Sequence, residues 1–277
     1  MSSPELNSLP LILEPAELEP LLGHPDLVLV DLCRPDQYIS AHLPGAVHVS
    51  PAETQRGVPP APGLLPFPER LQQLVERLGL RSDSWVVVYD DEGGGWAGRM
   101  LWLLDSIGFQ RYSYLNGGLI AWAQEERPLT QELPEAAQTS QPLFQTSLRE
   151  EPTATLDYIL GRLGAADLAI WDARSPGEYF GNQVTARRAG HIPGAVNLEW
   201  TQAMDPSRGY RLKSDDRLRT MLTQLGITPE KEVITHCQTH HRSGLTYLVA
   251  KHLGYPRVKA YAGSWSEWGN HPETPIE

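Results

Sequence analysis

Apolar residues follow two alternating rhythms along this chain. Short continuous runs occur at Leu27 to Val30, Trp85 to Tyr89, Leu168 to Trp171 and Val233 to Thr235. Runs of that length, rich in β-branched and aromatic residues, predict strands buried on both faces. Between them the spacing changes to threes and fours: Leu71, Leu74, Val75 and Leu78; Leu218, Leu222 and Leu225; and Leu245, Leu248, Val249, His252 and Leu253 ahead of Gly254. Such spacing lays one apolar stripe along a helix, and a glycine just past the last periodic residue marks a helix C-terminus. Strand and helix therefore alternate. The pattern predicts an α/β fold of parallel sheets flanked by helices, with any ligand at the carboxyl ends of the strands.

The pattern is also written twice. Asp31-Leu-Cys-Arg-Pro-Asp-Gln-Tyr38 is echoed 141 residues later by Asp172-Ala-Arg-Ser-Pro-Gly-Glu-Tyr179. Ala41-His-Leu-Pro-Gly-Ala-Val47 returns as Gly190-His-Ile-Pro-Gly-Ala-Val196, 149 residues on, so the second copy carries eight extra residues around Phe180 to Ala189. Leu78-Gly79 matches Leu225-Gly226, Trp85 to Tyr89 lines up with Lys231 to Thr235, and Gly117 to Trp122 with Gly263 to Trp268. Ordered matches across most of each half predict a duplicated domain; a solenoid would repeat at a much shorter period. The stretch from Pro128 to Pro152, rich in Gln, Glu, Ser and Pro and without periodicity, reads as a surface linker. The division is then 1–128, a linker over 129–152, and 153–277.

Composition narrows the possible partners. With 277 residues, 40% apolar and 21% charged, the chain has the make-up of a folded protein. Its net charge of -11 argues against a broad phosphate-binding surface, so nucleic acid is not an expected partner. Met1-Ser-Ser-Pro-Glu-Leu-Asn7 has neither the basic start nor the apolar core of a secretion signal, and no apolar run reaches bilayer length. The expectation is a cytoplasmic protein with no membrane partner. Two cysteines, Cys33 and Cys237, are too few for a disulfide scaffold and fit a reducing compartment.

Cys237 stands where chemistry is expected. The run Val233-Ile-Thr-His236 should end a strand, and Cys237-Gln238-Thr239-His240-His241-Arg242-Ser243 is the turn into the next helix. A turn in that position aims successive backbone N–H groups inward, and the helix dipole adds positive potential, making a cradle for anions. A cysteine at its base, beside His240, His241 and Arg242, should favour its thiolate and serve as a nucleophile. A buried structural cysteine would not explain three polar or cationic neighbours. In the first copy Asp91 aligns with Cys237, in the loop Asp91-Glu-Gly-Gly-Gly-Trp96, which has no thiol and two acids. That half should keep the fold without the chemistry.

On these residues the chain resembles the tandem rhodanese-domain sulfurtransferases, in which an inactive N-terminal domain precedes an active C-terminal one. The resemblance covers nearly the whole chain. It rests on Asp172-Ala-Arg174, Gly190-His-Ile-Pro-Gly-Ala-Val-Asn197, the six-residue loop opened by Cys237, and Gly263-Ser-Trp-Ser-Glu-Trp268. It implies two rhodanese-like domains, inactive over 1–128 and catalytic over 153–277. By the same resemblance Cys237 takes the outer sulfur of thiosulfate, releases sulfite and holds a persulfide, which a thiophilic acceptor such as cyanide, or a protein sulfur acceptor, then removes. The cycle is ping-pong, with no cofactor beyond the covalent persulfide. The resemblance further implies that Gln238, Thr239, His240, His241, Arg242 and Ser243 hold the outer sulfur and that Asp172 helps set the loop. Arg174 is expected to add charge for the donor, whereas Arg187 and Arg188 are either donor contacts or surface arginines. The loop looks like that of bacterial thiosulfate enzymes, but Gln238 and Thr239 replace the cations of vertebrate ones, and the Gly-rich loop of mercaptopyruvate enzymes is absent. Thiosulfate is the expected donor, with another donor such as 3-mercaptopyruvate, serving biosynthetic sulfur delivery, as the alternative.

Other readings fit less well. His236, Cys237, His240 and His241 include natural zinc ligands, yet all come from one turn without a distant partner pair, so no metal is expected. A cysteine phosphatase loop places five residues between Cys and Arg; Cys237 and Arg242 enclose four. A non-catalytic interaction module suits the Asp91 half and not the Cys237 half. His42 and His191 occupy matching places in both halves and read as structural, and Cys33 reads as a small packed residue.

Overall fold

The computed structural model describes residues 6–135 and 142–277; the N-terminal pentapeptide and residues 136–141 of the expected linker lie outside the described residues. In the first half come β1 (Ile12–Leu13), α1 (Pro15–Leu18), β2 (Leu27–Asp31), α2 (Pro35–Ser40), β3 (Val47–His48), α3 (Pro68–Arg77), β4 (Trp85–Tyr89), α4 (Gly95–Ser106), β5 (Tyr112–Leu115) and α5 (Gly118–Gln124). The second half opens with α6 (Leu156–Leu160), β6 (Leu168–Asp172), α7 (Pro176–Tyr179), β7 (Ala195–Asn197), β8 (Met204–Asp205) and β9 (Arg211–Leu212). It closes with α8 (Asp215–Gln224), β10 (Glu232–His236), α9 (Arg242–His252), β11 (Val258–Ala260) and α10 (Ser264–Trp268). Every strand and helix expected from periodicity is present.

Each half builds its own parallel sheet, in the order β1-β5-β4-β2-β3 and β11-β10-β6-β7, while β8 and β9 form a separate antiparallel pair. The ladders confirm the duplication and correct its register. Leu27 pairs with Trp85 in the first sheet, and Leu168 pairs with Glu232 in the second. Trp85 therefore corresponds to Glu232 and not to Lys231. At the strand ends the partner of Cys237 in the first half is Asp90, not Asp91 as the sequence suggested. A continuous apolar run lacks the alternation that would pin its register, so only the hydrogen-bond ladder decides a one-residue slip. The eight-residue insertion is as expected, since Val30 pairs with Val47 while Trp171 pairs with Val196.

The two halves share one apolar core. Leu101, Leu104 and Tyr114 of the first half and Leu245, Leu248 and Val249 of the second belong to the same buried cluster. α4 is buried around nearly its whole circumference because sheet lies on one side and α9 on the other. Glycines allow the contact. A Cβ on Gly98 would lie 2.3 Å from the Gly244 carbonyl oxygen, and one on Gly244 would lie 2.4 Å from the Arg99 nitrogen. The described part of the linker is not free chain: the Phe144, Ser147 and Arg149 amides donate to the carbonyls of Leu80, Ile107 and Ser106.

Gly244→Ala should drive two backbones apart, costing about 1–3 kcal/mol as overpacking does. Gly161→Ala, at φ -70° with nothing nearer than 3.5 Å to the new carbon, should instead stabilise by about 0.4–1 kcal/mol. Urea unfolding of both variants checks the contrast; equal effects would remove the glycine contact as the reason the halves dock.

Candidate active site

β10 is the inner strand beside β6, and Cys237 follows its last residue, with the turn running to Arg242 at the start of α9. The sulfur-bearing residue has 0% exposure. Neighbours in space hold the base of the turn: the Cys237 amide donates to the Ser264 hydroxyl at 3.3 Å, and the amides of Trp265 and Ser266 donate to the carbonyls of Cys237 and Gln238 at 3.0 Å. Burial works against a charged sulfur. Here the Arg242 charge, the Ser243 hydroxyl and amide, and the Thr239 amide outweigh it and lower the Cys237 thiol below its ordinary range.

The cationic ring read from the sequence is in fact a set of differently engaged side chains. Arg242 makes a two-pronged ion pair with Glu178, at 2.6 and 2.8 Å. His240 lies in the left-handed region at φ 58°, fully buried, with Nδ1 2.7 Å from the Ser243 hydroxyl and its ring edge-on to Trp102. Burial, with the nearby Arg99 charge, holds its pKa well below the usual imidazole value, so at neutral pH it contributes no charge. His241 stacks on Trp96 with ring centroids 4.0 Å apart and pairs with Glu92, both from the first half. Gln238 exchanges hydrogen bonds with Thr185 of the insertion, at 2.8 and 2.9 Å, tying the extra residues to the loop. Among the described residues, no three His, Cys, Asp or Glu side chains converge to hold a metal.

Arg174 and Asp172 form one buried pair. Arg174, expected to add charge for the donor, has no exposed surface: its Nε and Nη2 bond Asp172, Nη2 also reaches the Gly190 carbonyl, Nη1 has no partner among the described residues, and the guanidinium lies over the Trp265 ring. Asp172 is the buried partner of Arg174 and lies 3.6 Å from His236, so any support it gives the loop passes through the end of β10. Arg188 bonds the carbonyls of Trp268, His271 and Thr274, and Arg187 is exposed. His42 and His191 are structural, as expected: each stacks on a tyrosine, Tyr38 or Tyr179, and bonds that residue's carbonyl. Cys33 is buried, and burial with the Asp31 charge pushes its thiol far up.

Sequence reasoning missed Glu178 and Arg99. Ser175-Pro-Gly-Glu178 was legible as a capping box, which it forms, but its second duty toward Arg242 was not. Arg99 of α4 donates to the carbonyls of Thr239 and His240, both at 3.3 Å. The first half also keeps its own cradle, filled from within. Asp90 accepts the amides of Glu92 and Gly93 at 3.1 Å, Gly94 at 2.8 Å and Ala97 at 3.0 Å. Burial, with the Glu92 charge, pushes Asp90 up to about 6, so at neutral pH the carboxylate is itself the anion in the cradle.

Paired strand-turn-helix cradles of this kind have relatives. The description "Rhodanese-like domain" matches residues 14–125 and again 155–271. This chain belongs to the rhodanese-like family. Among its relatives, the thiosulfate sulfurtransferase of Azotobacter vinelandii is 63% identical over 270 residues, and that of Pseudomonas aeruginosa 59% over 271, each comparison covering 98% of both chains. The rhodanese-like fold also superposes on the anaerobic ergothioneine biosynthesis enzyme from Chlorobium limicola, solved with trimethyl histidine, with a TM-score of 0.80 at 24% identity. That match covers 91% of this chain and 64% of the larger protein, and it establishes the fold alone.

The Arg242 pair has a pH signature. Burial alone would raise Glu178, but hydrogen bonds and charge from Arg242, helped by Ser175, hold it at about 2 against an ordinary 4.5. A depressed carboxylate contributes stability above its unfolded pKa and loses it as pH falls through the folded one, so the contribution is full above about 4.5 and fades toward about 2. Glu178→Gln should therefore be less stable than wild type by on the order of 2 kcal/mol near neutral pH, the gap closing in acid. Urea midpoints across that range test this; a gap independent of pH would show that the pair is not its source.

Proposed function

We propose that this rhodanese-like protein is a thiosulfate sulfurtransferase with Cys237 as nucleophile and the resting carrier of transferred sulfur. The observation that carries the reading is a fully buried cysteine whose thiol is nevertheless lowered, by loop amides, the Ser243 hydroxyl and Arg242. The near-full-length identity to two thiosulfate sulfurtransferases supports the choice of donor.

The Cys237 thiolate attacks the outer sulfur of thiosulfate; a new S–S bond forms, the old one breaks, and its electron pair leaves with sulfite. The enzyme is left as a persulfide anion. Cyanide, or another thiophilic acceptor, attacks the terminal sulfur, and the electrons of the broken bond restore the thiolate. No other cofactor enters this scheme. Loop amides from Gln238 to Ser243 stabilise the anionic sulfur in both forms, fixed in place and needing no reorganisation. Arg242 adds positive charge, and Glu178 fixes the plane of its guanidinium. The choice of thiosulfate over a donor such as 3-mercaptopyruvate rests on the two near-full-length relatives named thiosulfate sulfurtransferase, against 31% identity to the 3-mercaptopyruvate sulfurtransferase of Escherichia coli. Thiosulfate is the better match.

In this reading residues 1–128 form a silent domain, 129–152 a linker and 153–277 the catalytic domain. No described helix is long and apolar enough to cross a membrane, and free thiols at Cys33 and Cys237 suit the cytoplasm, where we place the protein. Small sulfur donors and thiophilic acceptors are its partners, with a protein acceptor as a further one.

Cys237→Ser should lose thiosulfate-dependent thiocyanate formation altogether while folding normally, because a hydroxyl neither ionises near neutral pH nor carries sulfane sulfur. Cys33→Ser should keep most of the activity, since a ping-pong carrier needs one thiol. Thiocyanate formation measured with circular dichroism on both variants decides; wild-type turnover in Cys237→Ser would remove the assignment.

A further inference from the structure

Arg99 is a full-length cation with no exposed surface, contributed by α4 of the half that lacks the thiol. All three guanidinium nitrogens donate to oxygens. Nε reaches the Thr54 carbonyl at 3.2 Å and hydroxyl at 3.0 Å, Nη2 the carbonyls of Thr54 at 2.6 Å and Gly63 at 2.7 Å, and Nη1 those of Thr239 and His240 at 3.3 Å. None of these acceptors is a carboxylate. The Trp102 ring lies 5.2 Å away, but among the described residues no carboxylate pairs with the guanidinium, and a buried cation without a counter-ion is costly, so its position calls for a negative charge nearby. Burial lowers the Arg99 guanidinium to about 9, and a charged Cys237 sulfur opposes that fall, leaving it cationic at neutral pH.

The carbonyls it holds are the informative ones. In a trans peptide the C=O and the following N–H point in opposite directions. Drawing the Thr239 and His240 carbonyls out toward α4 therefore aims the amides of His240 and His241 back into the loop. The same grip helps hold His240 at φ 58°, a backbone region that residues other than glycine seldom occupy. Gly98 and Gly244 bring the two helices close enough for the reach.

We propose that Arg99 is a positioning residue supplied by the silent domain: it orients the His240 and His241 amides toward the Cys237 sulfur and provides a buried positive charge for its anionic forms. The active loop is incomplete without the other half, which gives the silent domain a chemical reason to be retained. This rests on the sulfurtransferase reading above.

The test uses the full-length chain in a Cys33→Ser background, so that iodoacetamide reports Cys237 alone, beside thiosulfate turnover. Arg99→Gln should raise the midpoint of the alkylation pH profile by about one pH unit, slowing alkylation about tenfold at pH values below both midpoints, where one unit of midpoint is tenfold in thiolate, and should lower kcat. Arg99→Lys keeps the charge without the fork and should fall between wild type and Arg99→Gln in both measurements. A folded Arg99→Gln with the wild-type midpoint overturns the proposal. If Arg99→Gln does not fold, Arg99→Lys decides: a midpoint above wild type with reduced turnover supports the proposal, and wild-type values for both overturn it. A parent protein that forms no persulfide with thiosulfate would instead overturn the sulfurtransferase reading, and the two failures are distinguishable.

Discussion

An anionic sulfur at Cys237 has no exposed surface, and removing a charge from bulk water costs several kcal/mol unless fixed dipoles and cations replace that hydration. The replacement comes from three directions. The turn after β10 offers amides and the Ser243 hydroxyl, Arg242 adds charge from the start of α9, and Arg99 stands behind the loop on α4. Each of these is itself held: Arg242 by Glu178, the loop base by Ser264 and the amides of α10, and Arg99 by Thr54 and Gly63. The close approach of Gly98 to Gly244 follows from the same requirement, because a Cβ at either position would separate the cation from the carbonyls it grips.

The first half shows the same backbone device meeting a different anion. Asp90, at the position of Cys237, brings a carboxylate on its own side chain and satisfies the four amides around it. A cradle so filled needs no ligand and offers none a place. A cradle without a thiol therefore keeps its structure. The first half also supplies partners for the other loop, namely Arg99 to its carbonyls, and Glu92 and Trp96 to His241.

What the sequence could and could not convey divides along the range of the interactions. β4 and β10 were legible from continuous apolar runs, α3, α8 and α9 from their spacing, and the Cys237 loop because its members are consecutive. The duplication was legible too, but its register at the active loop was not, since the unbroken apolar run Val86 to Val88 carries no alternation to mark it. Glu178 lies 64 residues from its partner Arg242, Arg99 lies 140 from Thr239, and Glu92 lies 149 from His241. No local pattern encodes such pairs. Burial likewise escaped the reading: His240 and Arg174 looked like available cations, and the fold made one a neutral packed ring and the other the private partner of Asp172.

The central claim is that Cys237 carries sulfane sulfur as a covalent intermediate. Intact-mass measurement after incubation with thiosulfate, followed by peptide mapping, observes that intermediate without inference from rates. The account predicts a gain of one sulfur atom, located on the peptide containing Cys237 and removed by cyanide. No gain in mass, or a gain located on Cys33, would contradict it.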